Sequence, residues 1–160
     1  MLIAASTMLG IMASKKLSHR VEFYEQYIKF ISYISTEMRY SSSPIPELFK
    51  KYNNSLMISQ ILNNCLNGMN DGNNMTSSWE NAIDNLNGDY GLKPEDINII
   101  KGFGSNLGAT DLDGQICHLR LNNDLAITYL ENAREEKKRK EKLYIMLGIF
   151  AGIAAALLLG

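Results

Sequence analysis

The sequence predicts an all-α protein, a compact bundle of about five to six helices flanked by an N-terminal and a C-terminal membrane helix. Three observations predict it. Apolar residues recur at steps of three and four along most of the chain, no stretch alternates with the period of a strand, and both ends are uncharged runs bordered by basic residues. The division expected is a short anchor over 1–14, a cytoplasmic helical domain over 15–142 and a transmembrane helix over 143–160.

The C-terminal run, LYIMLGIFAGIAAALLLG, carries no charge and follows the densest charge in the chain. As a helix it reaches about 27 Å, close to the ~30 Å hydrocarbon core. The N-terminal run, MLIAASTMLGIMAS, is closed by Lys15 and Lys16. At about 21 Å it is short for a full crossing, and its basic residues follow the apolar stretch, whereas a signal peptide places them before it. A short or tilted anchor fits better. The basic flanks Lys15, Lys16, Arg134, Lys137, Lys138, Arg139, Lys140 and Lys142 all lie on the inner side of their apolar segment. By the positive-inside rule both ends point outward and the middle is cytoplasmic.

Between the anchors, Leu17, Val21, Tyr24, Ile28, Ile31 and Met38 share one stripe, and Phe23, Tyr27, Phe30 and Ile34 widen it. This is a long first helix with a broad buried side, ended by the turn at 41–44. Pro46 then opens a short helix through Tyr52. Leu56, Ile58, Ile61, Leu62 and Leu66 form a third helix, stopped by Asn67 and Gly68. Ser77 and Glu80 stand at capping-box spacing ahead of a fourth, with Trp79 in its core. Pro94 starts a fifth, with Glu95 and Asp96 at its positive end. After 111–114 the last helix, with Ile116, Leu119, Ala126, Leu130 and Ala133 inward, runs on into the membrane.

Composition excludes several function classes. With 16 basic and 17 acidic residues the net charge is −1, which argues against a nucleic-acid binder. Cys65 and Cys117 lack CxxC spacing and are expected as free thiols. The two histidines, His19 and His118, have no thiol or carboxylate partner at metal-ligand spacing, and Cys117 points about 100° away from its neighbour. The GFGSNLG segment lacks the strand and the Lys-Ser/Thr pair of a phosphate loop. The 109–120 segment has Ala and Arg where a calcium loop needs its first and twelfth ligands. No catalytic set emerges, and neither cofactor nor metal is expected. The AREEKKRKEK run holds six basic residues and three glutamates, with Glu136 and Lys140 at pairing distance along a helix. Beside an apolar span it suits attraction to anionic headgroups.

A set of ordered residues carries a family resemblance. Ser43-Pro44 is followed by Gly72, Ser78-Trp79-Glu80, Phe103-Gly104 with Leu107-Gly108, then Asp111, Gln115, His118 and the closing LGIFAG stretch. In order and spacing this resembles the stage III sporulation protein AB family across nearly the whole chain, a family similar to the cytoplasmic domains of type II secretion F proteins. The N-terminal anchor is shorter than the family pattern. The resemblance implies a membrane protein of endospore-forming bacteria, in the outer forespore membrane, with its domain facing the mother-cell cytoplasm. It implies a non-enzymatic platform within the channel complex joining mother cell and forespore. Partners would be membrane lipid, other sporulation-channel membrane proteins, a secretion-type ATPase and a second copy of itself, with no nucleic acid. Phe103, Gly104, Leu107 and Gly108 are the candidate helix-packing or partner surface, joined in the membrane by Gly148 and Gly152, whose spacing suits close helix contact. The alternative reading is a membrane-tethered sensor or ligand-binding module with a pocket of several hundred Å³ in the bundle core.

Overall fold

The computed structural model describes the backbone of residues 2–41, 43–86 and 90–159. Side chains are described over 15–41, 43–86 and 90–143 and at 146, 147, 150 and 154. Within these residues every regular element is a helix: α1 (Leu2–Tyr40), α2 (Ile45–Lys51), α3 (Leu56–Asn70), α4 (Met75–Asp84), α5 (Pro94–Ser105) and α6 (Leu112–Leu159). Among the described residues no helix is long and apolar enough to cross a membrane. The apolar runs expected to do so fall almost wholly where side chains lie outside the described residues.

The first helix is one unbroken rod because no proline or interior turn interrupts its stripe; Val21, Ile28 and Met38 of the expected stripe are only half-buried, and the rest of the apolar face is buried. Phe23, Tyr24, Tyr27, Phe30, Ile31 and Ile34 are all at most 1% exposed. α1 and α6 lie antiparallel along each other. Arg20 reaches Glu136 at 3.0 Å, Glu25 reaches Arg134 at 2.6 Å, and the Tyr24 and Tyr129 rings are 5.9 Å apart. The short helices α2 to α5 cover the other side of α1. Phe30 is the hub, with its ring against Tyr27, Phe49, Tyr52, Trp79 and Phe103 at 5.2–6.4 Å. Trp79 satisfies its indole N–H by donating to the Ile100 carbonyl at 2.7 Å, which ties α4 to α5.

α2 is displaced by one residue at each end from the expected span, and three other boundaries differ by two or more. α3 runs two residues past Gly68, which acts as a contact and not a stop. A Cβ there would come within 3.1 Å of the Ser78 hydroxyl, so the missing side chain lets α4 approach α3. α4 is capped by Asn74, whose Oδ1 accepts from the Ser77 N–H at 2.8 Å, and Ser77 sits inside the first turn. Asparagine is as strong a cap as serine and comes first in the chain. α6 begins at Leu112, because the Asp111 carboxylate already caps the Gly114 N–H at 3.0 Å. On its inward face Ile116 is only half-buried, while Gln115 and Asn122 are buried beside Leu119, Ala126, Leu130 and Ala133.

Candidate functional site

The most organised polar site lies where α1 and α6 leave the bundle together. Arg20 falls on the buried face of α1, three residues after Leu17 and four before Tyr24, and is 3% exposed. It meets Asp96 in the first turn of α5, which is fully buried. Asp96 Oδ2 accepts from Arg20 Nε at 2.7 Å and from the Lys93 backbone N–H at 2.7 Å. Its Oδ1 accepts from Arg20 Nη2 at 2.8 Å and from the Tyr24 hydroxyl at 2.6 Å. The remaining guanidinium nitrogen donates to Glu136 on α6, which also takes Lys93 at 2.9 Å and Lys140 at 2.8 Å. Bidentate, charge-assisted bonds of this kind are the strongest available to side chains.

The electrostatics follow from that saturation. Burial alone would raise the Asp96 carboxyl, but the hydrogen bonds from Arg20, Tyr24 and the Lys93 N–H outweigh it and hold Asp96 below its ordinary range. Glu136 is pulled down to about 2, chiefly by the Lys140 and Lys93 bonds. Burial and the neighbouring carboxylate push the Tyr24 hydroxyl upward. An ionised carboxylate with four donors has no lone pair free to take a proton, so the cluster holds geometry and offers no acid–base chemistry. The α4–α5 connection adds to it. Gly91 has φ +65°, and a Cβ there would fall 1.9 Å from the Lys16 carbonyl oxygen, so only glycine lets this loop lie on α1. One neck thus joins α1, α5 and α6.

The residues expected as a packing or partner surface lie two turns further along α5 and just beyond its end. Phe103, Gly104 and Leu107 are buried inside the domain. A Cβ on Gly104 would sit 2.2 Å from Trp79 Cδ1, so this glycine is a helix-packing contact between α5 and α4. Gly108 is exposed with φ +82°, and its N–H donates to Gln115 Oε1 at 2.9 Å. Gln115 Nε2 donates in turn to the Asn106 carbonyl at 3.0 Å and to Thr110 Oγ1 at 2.9 Å. His118 Nε2 lies 2.8 Å from the Phe103 carbonyl, which can only accept, so that nitrogen carries the proton. Gln115 therefore staples the loop after α5, and His118 the last turn of α5 itself, onto α6. Gly148 and Gly152 lie outside the residues whose side-chain surroundings are described.

Arg134, Lys137 and Lys140 join ion pairs with Glu25, Glu141 and Glu136. Lys15, Lys16, Lys138, Arg139 and Lys142 are exposed on the same end of the two long helices. Three clefts, of about 840, 470 and 280 Å³, open on the bundle surface. None of these three lies in the core, where the ligand-binding alternative expects its pocket. Among the described residues no three His, Cys, Asp or Glu side chains could hold a metal ion.

Sequence reasoning missed the neck cluster. Arg20 reads as one more basic residue near a membrane and Asp96 as a dipole-matched acid, and their partnership spans 76 residues. One signal was present: an arginine set on the apolar stripe between Leu17 and Tyr24 must find a buried anion or leave the core.

Known proteins are similar to this one in sequence and in shape. The stage III sporulation protein AB of Bacillus subtilis (strain 168) is 24% identical over 165 residues, covering 99% of this chain and 94% of that protein. A solved structure of stage III sporulation protein AB superposes with a TM-score of 0.55 at 20% identity, over 78% of this chain and 98% of that one, which supports the fold. The family model for stage III sporulation protein AB matches residues 1–160, and the chain belongs to that family.

Proposed function

We propose that this protein is a non-enzymatic platform, tethered to the outer forespore membrane at both ends, within the channel complex between mother cell and forespore. One observation carries the reading: α1 and α6 are antiparallel, and their uncharged ends leave the bundle at the same end. Two spans entering one bilayer from one side need that arrangement, and it is what the basic flanks demand by the positive-inside rule. The neck cluster supports the same role, because it fixes α1 against α6 where the chain would pass from water into lipid. The domain then faces the mother-cell cytoplasm, where it would couple a secretion-type ATPase to ring-forming membrane components. Family membership supports a part in stage III of sporulation.

The test is recovery of tagged full-length protein from membranes of sporulating cells in mild detergent. The proposal expects other sporulation-channel membrane proteins and the ATPase to co-purify. It also expects Gly148→Leu with Gly152→Leu to reduce their yield without removing the chain from the membrane, since the bulk would separate close-packed helices. Recovery of the chain with no channel component would contradict it.

A further inference from the structure

The clefts differ in charge. The one at the neck is lined by Arg20, Lys93 and Arg139 against Glu95, Glu135 and Glu136, so its charges cancel. The cleft of about 470 Å³ lies between the far halves of α1 and α6 and is lined by Arg39 and Arg120 with no carboxylate. Neither arginine forms an ion pair among the described residues. Glu37 is two residues from Arg39, hence on the opposite side of α1, where it acts on Tyr33. Asp124 follows Arg120 by one turn of α6 without pairing to it. Both walls are helix interiors whose backbone N–H groups are already used, so the cleft offers side chains only. These include the Ser32 and Ser35 hydroxyls and Asn123, whose Oδ1 is buried without a hydrogen-bond partner. Tyr40 stands at the rim, 87% exposed.

We infer that this groove docks an acidic segment of a protein partner. Carboxylates would answer Arg39 and Arg120 by charge-assisted bonds. A peptide also brings backbone N–H and C=O groups, which the Ser32 and Ser35 hydroxyls and the Asn123 amide would answer. Tyr40 would cover an apolar side chain of the same segment. Position separates this from lipid binding, a step that rests on the tethered reading above. Arg39 is about 28 Å along α1 from Arg20. That is more than three Debye lengths, taken as ~8 Å, beyond the neck and out of reach of headgroups.

The experiment uses full-length protein in sporulating cells, with the photo-crosslinking residue benzoylphenylalanine in place of Ser35 and the crosslinked segments mapped by mass spectrometry. The groove predicts crosslinks to a protein segment bearing clustered Asp or Glu. Arg39→Glu with Arg120→Glu should cut their yield by roughly tenfold or more, and Lys at the partner's acidic positions should restore it. Membrane-extracted protein of both versions should keep the same helical circular dichroism, which separates lost docking from lost folding. Crosslinks to a segment without carboxylates or to lipid, crosslinks unchanged by the reversal or displaced by millimolar inorganic phosphate, or no crosslink at all would overturn the inference. If channel components still co-purify while the Ser35 crosslink is missing, the groove fails alone; if both are missing, the platform reading fails with it.

Discussion

At the scale of single residues, Asp96 is the most committed group among the described residues, with all four acceptor positions filled by Arg20, Tyr24 and the Lys93 N–H. Removing one partner of a buried ion pair costs about 3–5 kcal/mol, because the other charge stays buried without an answer. Asp96→Asn should therefore destabilise the domain by about that much in denaturant unfolding. Tyr24→Phe removes one bond to a charged acceptor and should cost about 1.5–3 kcal/mol. Acid should act through the same groups. Asp96 and Glu136 both titrate lower in the folded state than in the unfolded one, so their stabilisation is complete above the unfolded carboxylate range. It is lost as pH falls from about 4.5 towards 2 for Glu136, and Glu136→Gln should flatten that part of a pH–stability profile. Little of this was legible in the sequence. The residue types at 20 and 96 were plain, but burial depends on which helices meet, and no local pattern encodes a contact across 76 residues.

At the scale of elements, the two glycines of the Gly102-Phe103-Gly104 turn do opposite things. A Cβ at 102 would meet nothing within 4 Å, whereas one at 104 would collide with Trp79 at 2.2 Å. Gly102→Ala should stabilise α5 by about 0.5–1 kcal/mol through helix propensity. Gly104→Ala should destabilise by about 1–3 kcal/mol, as overpacking does, and both are read from thermal or urea unfolding. The sequence displays these glycines as one motif, and only the α4–α5 packing tells them apart. Helix positions were far more legible. The stripe on α1, the proline starts of α2 and α5 and the uninterrupted α6 follow from periodicity and capping rules that act within a few residues. The boundaries that differ by two residues or more, at Gly68, Asn74 and Leu112, are those where a neighbouring helix or a rival cap decides.

For the molecule as a whole, the antiparallel pair of long helices sets the architecture, and the neck cluster fixes their register where they emerge. Buried ion pairs of this kind add little net stability over an apolar replacement. The value of this one lies in joining α1, α5 and α6 at one point, so that force or displacement at the outer ends of α1 and α6 would reach the domain as a rigid unit. The proposed function puts the domain on the cytoplasmic face of a membrane that holds both ends of the chain. The native cysteines give a direct test. Cys117 is exposed on α6, while Cys65 is buried and its thiol is pushed by burial up to about 11, which leaves it unreactive. The full-length protein, produced in vegetative cells so that it sits in the cell membrane, should be labelled with a membrane-impermeant maleimide in intact protoplasts and in inverted membrane vesicles. Modification at Cys117 in the vesicles and not in the protoplasts is the predicted result; modification from the outside of protoplasts, or a chain absent from the membrane fraction, would contradict it.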